Sequence, residues 1–190
     1  RNTGAQLARG DFLVFLDDDI RVDPDYLVGL VNSYQKGSRL IVMGKCINHS
    51  NPSSSAFQNI MSQTIDERKT SNSPNFDQLC SNNMGIGKRD YFAIGGMQSL
   101  GLQGSDMWCD VDFAHRAFLK GYRFKLNPKA VCYHLDQNLE SRQKYMRRSE
   151  EMAFRAVTLF KKYQGLQPHL RMFNDMTPLS ICADPINLSF

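Results

Sequence analysis

An apolar run that ends in three consecutive carboxylates constrains this chain more than any other feature. It reads FLVFLDDDIRVDPDYL over residues 12–27, with Asp17, Asp18 and Asp19 directly after five apolar residues. Such a run is typical of a strand buried on both faces, as in a parallel sheet. Because side chains alternate along a strand, Asp17 and Asp19 should share one face and Asp18 the other. Two carboxylates on one face repel each other, so the run predicts a bound cation.

Mg²⁺ or Mn²⁺ is the natural partner for Asp17 and Asp19. Mg²⁺ usually binds one or two protein carboxylates, while water and substrate phosphates fill its other positions. In open α/β sheets, ligands gather beyond the carboxyl ends of the strands, where both residues would lie. The alternative is that they are solvated turn residues. For Asp23, which precedes Pro24, capping of the next helix is the better interpretation.

The rest of the chain alternates between strand and helix patterns, which predicts an α/β domain. The helix after Asp23 should end at Gly37, and one face of it carries Leu27, Leu30, Val31 and Tyr34. The later segments predict, in order, a strand over 40–47, a loop over 48–55, a helix over 56–68, a mobile loop over 70–77, a short strand, turn and helix within 80–97, a helix over 111–120, short strands over 122–126 and 130–134, and a long helix over 139–163.

The composition is that of an ordinary globular chain. Its 190 residues suffice for one domain with a sizeable core, and 42% are hydrophobic and 22% charged. The net charge of +4 suits an anionic small molecule or a phosphate. No dense Lys/Arg patch with interleaved aromatics is present, so nucleic acid is not expected as a partner. Five cysteines without a CxxC pair argue against a disulfide framework and favour a reducing, cytoplasmic location.

The predicted long helix over 139–163 is rich in basic residues, namely Arg142, Lys144, Arg147, Arg148, Arg155, Lys161 and Lys162. Most basic helix faces are simply solvated. The alternative is peripheral contact with the inner face of a membrane, which would suit a lipid-linked acceptor. No sequence feature indicates an oligomeric state.

Four segments, in order, resemble the inverting glycosyltransferases of family 2, which have the GT-A fold. RNTGAQLARGDFLVFLDDD at 1–19 is similar to the family's Arg-Asn-x-Gly element and its strand ending in Asp-x-Asp. NNMGIGKRDYFAIGGM at 82–97 is similar to a basic residue followed by a short helix ending in Gly-Gly. WCDVDFAHRAFLKGYRF at 108–124 resembles the Glu-Asp-x-Asp-Leu-x-x-Arg-x-x-x-x-Gly-Tyr signature, with Cys109 at the glutamate position. NPKAVCYH at 127–134 resembles a strand ending in histidine.

The resemblance implies a fold and a division of the chain. The fold would be a GT-A-like mixed, mainly parallel sheet flanked by helices. The chain begins where the family's nucleotide-binding βαβ region should end, so we expect it to be N-terminally truncated. Residues 1–136 would form a partial catalytic domain, and residues 137–190 a helical extension and tail.

The resemblance also implies a reaction. A sugar would pass from a nucleotide-sugar donor to the hydroxyl of a glycan, lipid-linked or other acceptor, with inversion. A single displacement needs one base and stabilisation of the leaving diphosphate. Asp110 falls at the family's catalytic aspartate position and could accept the proton. Its alternative role is to complement a helix dipole, which suits Asp112 better. Asp106, in a Gly-rich loop, is the second candidate base.

The remaining candidate site residues follow from the same alignment of motifs, except Trp108, which lies next to Asp110 and could stack against a sugar face. Donor or diphosphate binding would fall to Arg1, Asp17, Asp18, Asp19 and Arg116. Acceptor or sugar binding would fall to Asn82, Asn83, Gly85 and Trp108. The metal ligands would be Asp17, Asp19 and His134. Three of these residues have structural alternatives: an ion pair for Arg116, core packing for Trp108 and a purely structural role for His134.

Two other functions remain open at the level of sequence. One is a non-catalytic remnant that binds a sugar or nucleotide. The other is a metal-dependent phosphohydrolase with a strand-end aspartate as nucleophile. Such enzymes favour Asp-x-Asp-x-Thr/Val, and Arg21 stands at the Thr/Val position here.

Overall fold

The computed structural model describes residues 1–48, 74–100, 107–135 and 141–169, which form a mixed sheet flanked by helices. The predicted loop over 48–55, apart from its first residue, the predicted helix over 56–68 and most of the predicted loop over 70–77 lie outside these ranges. The described strands are β1 (Phe12–Leu16), β2 (Ile20–Val22), β3 (Leu40–Asn48), β4 (Asn83–Gly87) and β5 (Arg123–His134). Their order in the sheet is β1-β4-β3-β5-β2. The α/β class and the mixed sheet are therefore confirmed.

The strand directions differ from the expectation of a mainly parallel sheet. Only β3 and β5 pair in parallel among the described strands, whereas β1–β4, β3–β4 and β2–β5 are antiparallel. The reason is that β4 lies between β1 and β3 and runs against both, while β2 is a short return strand after β1. Strands β1, β3 and β5 still share one direction, so their carboxyl ends lie at the same end of the sheet.

The described helices are α1 (Asn2–Leu7), α2 (Tyr26–Ser33), α3 (Lys88–Ile94), α4 (Cys109–Leu119) and α5 (Arg142–Lys162), with 3₁₀ turns at Phe76–Gln78 and Gln164–His169. Helix α3 ends at Gly95, whose φ of +100° is accessible to glycine at little cost. Gly121 has a φ of +78° just after α4. Both glycine stops agree with the sequence prediction. No helix in these ranges is both long and apolar enough to cross a bilayer.

Helix α2 buries a different face from the one predicted. Tyr26, Leu30 and Ser33 are its buried residues, while Leu27 and Val31 are each 53% exposed. Its N-cap is Asp25, so the prediction that Asp23 caps it is wrong. The turn continues two residues further than expected, because the backbone oxygen of Asp23 accepts the Tyr26 N–H at 3.0 Å. The buried face is the one that packs on β3 and β5 through Tyr26 and Leu30, and the helix ends at Ser33, before Gly37.

Strand β1 is less buried than its apolar run predicts. Only Leu13 is fully buried, and Leu16 is 41% exposed. The strand lies at one end of the sheet order, so one of its edges has no neighbour among the described strands. Strand β5 replaces the two predicted short strands, since Asn127-Pro128 falls in an irregularity opposite Gly44 and Lys45 instead of ending the strand.

The sheet carries an apolar cluster on each face. The smaller cluster packs α2 against β3 and β5 through Tyr26, Leu30, Val42, Ala130 and Cys132. The larger cluster covers the opposite face with residues of α1, α3, α4 and α5. Helix α5 contributes Ala156 and Leu159 to it, both fully buried. The long basic helix thus packs into the same core as the sheet, and the division of the chain at residue 136 stays a prediction.

Candidate active site

A cavity of about 500 Å³ opens at the carboxyl ends of β1 and β5. The turn after β1 brings Asp17 and Asp19 to it, β5 ends there with His134, and the residues just before β4 include Asn82. The amino end of α4 closes the floor with Trp108 and Asp110. The lining also includes Arg1, Cys80, Ser81, Met107, Cys109, Val111, Arg148 and Met152. We call this cavity the cleft.

The three carboxylates form a tight turn between β1 and β2. The Ile20 N–H donates to the backbone oxygen of Asp17 at 3.2 Å, so these residues do not continue the strand as the alternation argument assumed. Asp17 and Asp19 nevertheless lie on a different side of the turn from Asp18, as expected. Asp17 and Asp19 line the cleft, whereas Asp18 is exposed and lies outside the lining.

Asp19 is held against His134 but keeps one oxygen unsatisfied. Its Oδ2 lies 3.2 Å from His134 Nε2, and its backbone oxygen accepts the Leu135 N–H at 3.0 Å. Asp19 Oδ1 is buried and has no hydrogen-bond partner in the described ranges, and Asn82 Oδ1 is in the same condition. Buried acceptors without partners are rare in native proteins. Two in one cleft indicate a ligand that supplies a cation or hydrogen-bond donors.

Arg1 joins the first carboxylate to the amino end of α4. Its Nη2 lies 3.4 Å from Asp17 Oδ1, and its Nη1 donates to Cys109 Sγ at 3.2 Å. Both side chains of the Arg1–Asp17 pair remain about one-third exposed, so the pair is weak and can exchange partners. A thiol at position 109 also leaves the guanidinium with a poorer acceptor than a carboxylate would give.

Asp110 sits in the first turn of α4 with its carboxylate toward the cleft. Burial raises its pKa, although backbone N–H groups of Val111 and Ser81 and the charge of Arg1 act in the opposite direction. The Val111 N–H donates to Asp110 Oδ1 at 2.9 Å. A carboxylate with a raised pKa is a better proton acceptor near neutral pH.

Trp108 holds an unusual backbone conformation where the cleft meets α5. Its φ of +68° is in the left-handed region that non-glycine residues rarely adopt. Its Nε1–H donates to the backbone oxygen of Met152 at 2.9 Å. Such local strain is often found at functional sites, where the surrounding structure maintains it.

A sequence model of the family described as "Glycosyl transferase family 2" matches residues 1–94. This part of the chain is therefore similar to glycosyltransferase family 2. They carry Arg1, the three carboxylates and Asn82, which the structure brings to one end of the sheet.

The fold is also similar to a solved structure described as the crystal structure of GalNAc-T7 with UDP, GalNAc and Mn²⁺. The TM-score is 0.51 and the sequence identity 16%, over 72% of this chain and 30% of that one. At this identity the likeness concerns the fold, which is of the GT-A type. No curated protein matches the sequence.

Two residues expected to bind the donor lie outside the cleft, namely Asp18 and Arg116. The Arg116 guanidinium forms an ion pair with Asp112, with Nε and Nη2 at 2.9 Å and 2.8 Å from Asp112 Oδ2. Nη1 and Nη2 also donate to the backbone oxygens of Ile94 and Gly96. The structural ion pair considered from the sequence is therefore the arrangement found, and the expected diphosphate contact of Arg116 is absent from the described cleft.

Two residues expected to line the sugar pocket are also enclosed by the fold. The Asn83 side chain bonds to Gly44 on both its amide nitrogen and oxygen, and it accepts the Tyr26 O–H. A Cβ at Gly85 would stand 2.5 Å from the Phe12 ring, so any larger residue there would displace that ring. Asp106, the second candidate base, lies outside the described residues.

The family motifs missed the contribution of α5 to the cleft. Arg148 and Met152 line it, and both lie beyond the segments that carry the resemblance. Their spacing of four places them on one face of a helix, one turn apart. The spacing alone does not show that this face lines the cleft, because that depends on how α5 packs against α4.

The residues described here do not form a finished metal site. Within them, no group of three or more His, Cys, Asp or Glu side chains is close enough to hold a metal ion. Asp17 is turned to Arg1, and Asp19 and His134 contact each other. A cation would have to draw these side chains toward itself.

Proposed function

We propose that this protein transfers a sugar from a nucleoside-diphosphate donor to an acceptor hydroxyl, with inversion and with the help of a divalent cation. The observation that carries the proposal is the unsatisfied buried oxygen of Asp19 in the cleft that also holds Asp110. One carboxylate has a buried oxygen without a partner in the described ranges, and the other has a pKa raised by burial. An inverting transfer needs both a charge-stabilising group and one base.

The chemistry of the side chains fits Mn²⁺ or Mg²⁺. Asp17, Asp19 and His134 offer carboxylate oxygens and an imidazole nitrogen, a set that suits Mn²⁺ in particular. The cleft carries three carboxylates against two guanidinium groups, so a divalent cation would make its charge favourable for a diphosphate. When bound, the cation would offset the negative charge that develops on the leaving diphosphate. The GalNAc-T7 structure contains UDP and Mn²⁺, which supports this choice.

The other side chains of the cleft orient substrate and move the proton. Asp110 accepts the proton of the acceptor hydroxyl as that oxygen attacks the sugar, while the nucleoside diphosphate departs. Asn82 Oδ1 accepts a hydrogen bond from a sugar hydroxyl, and the Trp108 ring offers an apolar surface to a sugar face. Arg1 exchanges Asp17 for a diphosphate oxygen when the donor enters.

A pair of neighbouring variants tests the proposal. The purified protein is incubated with a panel of nucleotide sugars, and release of nucleoside diphosphate is measured with Mn²⁺ and with chelator. Asp19→Asn should lower the Mn²⁺-dependent rate by about 100-fold or more, because it removes the carboxylate that meets the cation. Asp18→Asn makes the same chemical change outside the cleft and should stay close to wild type.

The outcomes separate the alternatives. Equal rates in wild type and Asp19→Asn would contradict the metal assignment. Binding of UDP and Mn²⁺ without release from any donor would favour a non-catalytic binding protein. The anomeric configuration of the product, followed by NMR, decides whether transfer proceeds with inversion.

A further inference from the structure

Helix α5 forms one wall of the cleft. Arg148 and Met152, one helical turn apart, line the same cavity as Asp17, Asp19 and Asp110. This contact was not expected for a segment beyond the matched family region, which ends at residue 94.

Helix α5 is fixed over the cleft at two points. Near its middle, the backbone oxygen of Met152 accepts the Trp108 indole N–H at 2.9 Å. At its carboxyl end, Lys162 Nζ and the Tyr163 O–H donate to Asp112 Oδ1 at 2.7 Å and 3.0 Å. Both attachments are made to α4 or its N-cap, so the position of Arg148 is tied to that of Asp110.

The Arg148 side chain is left available for a ligand. It is exposed, and it forms no hydrogen bond or ion pair with any residue in the described ranges. Neighbouring basic residues of the helix reach solvent, whereas Arg148 borders the cavity. A guanidinium group presents its N–H donors in a planar fork that matches two phosphate oxygens at once.

We propose that Arg148 binds the diphosphate of the donor, so that α5 supplies a cationic group to the site. The inference rests on the proposed function, since it names a further contact of the same donor. Arg148 and Arg1 would then hold the diphosphate from two elements that lie far apart in the sequence. Arg148 contacts the leaving group both before and after transfer.

The test compares two adjacent arginines. Binding of UDP and of inorganic pyrophosphate is measured in the presence of Mn²⁺ by calorimetry and by the fluorescence of Trp108, the single tryptophan of the chain. Arg148→Gln should weaken both ligands by about 10-fold to 100-fold, because a charge-assisted contact is lost. Arg147→Gln removes the same charge from an exposed position outside the cleft and should stay within about twofold of wild type.

Two further measurements keep the result interpretable. Arg148→Lys should bind with intermediate affinity, since it keeps the charge but not the forked geometry. The loss should be the same factor for pyrophosphate and for UDP if Arg148 meets the diphosphate. A loss for UDP alone would place Arg148 at the nucleoside and overturn the inference, as would wild-type binding of both ligands by Arg148→Gln.

The controls distinguish failure of the inference from failure of the proposed function. If wild type binds UDP with Mn²⁺ and Asp19→Asn does not, the donor site stands, and the Arg148 variants alone decide the inference. If wild type binds neither UDP, GDP nor pyrophosphate with Mn²⁺, both proposals fall together.

Discussion

The position of Asp110 suits its proposed role as a base but lowers the stability of the folded protein. Burial raises the pKa of its carboxyl in the folded protein, so the charged form is disfavoured by folding. The free energy of unfolding is therefore lowered at any pH above the folded pKa, and that penalty disappears as the pH falls below the unfolded value. A purely structural carboxylate would show the opposite sign.

This sign predicts the behaviour of Asp110→Asn. Transfer activity should fall by about 100-fold to 10,000-fold, because the base is gone. The free energy of unfolding at pH 7, measured by urea titration, should stay the same or rise. In the wild type, activity should fall toward acid with a midpoint above about 4, the ordinary value for an aspartate. A variant that lost stability and activity together would contradict this assignment.

The adjacent residues Asn82 and Asn83 should also differ in whether they affect stability or donor binding. Asn83→Ala would leave the Gly44 N–H and the Tyr26 O–H buried without partners, so we expect a loss of about 3 kcal/mol in unfolding free energy. Asn82→Ala removes an oxygen that has no partner in the described ranges and should cost less than about 1 kcal/mol. Donor binding should nevertheless weaken in Asn82→Ala. Urea unfolding and UDP calorimetry measure the two effects, and equal destabilisation would contradict the contrast.

At the scale of elements, the contact between α4 and α5 centres on Asp112. This carboxylate is fully buried and is surrounded by Arg116, Lys162 and Tyr163. Removing one partner of a buried charge is more damaging than its net contribution suggests, because the remaining charge loses compensation.

The matched pair Lys162→Met and Lys161→Met tests this attachment. Lys162→Met should lower the free energy of unfolding by about 1–2 kcal/mol and increase amide exchange in the last turns of α5. Lys161 carries the same charge on the exposed side, and Lys161→Met should change stability by less than about 0.5 kcal/mol. Similar effects of both substitutions would show that the bond to Asp112 is not what holds the helix.

The elements predicted well from the sequence are those with local signals. Helices α3 and α4 each end near a glycine at positive φ, and β3 is bounded by polar residues. The predictions that were wrong concern features that depend on contacts between residues far apart in the sequence. The exposure of β1 and the antiparallel pairings of β4 depend on which strands become neighbours, and the face of α2 depends on how Gly29 meets Ala130.

Motif spacing predicted part of the candidate site, but it could not predict the residues that long-range contacts bring there. Asp17, Asp19, Asp110 and His134 stand in motifs with defined spacing, and the structure brings them to one cleft. Arg148 is absent from those motifs because its position depends on a long-range contact of α5. Asn83 and Arg116 lie in the motifs, yet their side chains serve the fold, and spacing alone cannot tell a polar group that faces a ligand from one that faces the backbone.

At the scale of the whole molecule, positive charge is concentrated on α5. Seven basic and two acidic side chains give Arg142–Lys162 a net charge of +5, more than the +4 of the entire chain. Of these basic side chains Arg148 lines the cleft, and the others add to the positive field of the helix that forms its wall. This arrangement favours the entry of an anionic ligand and should make association depend on ionic strength.

Ligand binding should be visible in the thermal stability of the whole protein. UDP and Mn²⁺ together, at about 100 times the dissociation constant, should raise the free energy of unfolding by about 2.7 kcal/mol and Tm by about 5–10 °C. Chelator should abolish the shift. Asp19→Asn should show none, and an unchanged Tm in the wild type at saturating ligand would contradict a preformed donor site.

Among the described strands only β4 pairs with β1, so within those ranges the other edge of β1 has no neighbour. Alternate backbone N–H and C=O groups of Phe12–Leu16 therefore face a groove of about 480 Å³. A segment roughly 17 Å long could add there as a further strand. In an antiparallel pairing of two copies, Asp11 of one would meet Asp17 of the other. Repulsion between these carboxylates would oppose the pairing only partly, because Lys36 pairs with Asp11 and Arg1 pairs with Asp17. Concentrated solutions are therefore where edge-to-edge pairing of β1 should begin.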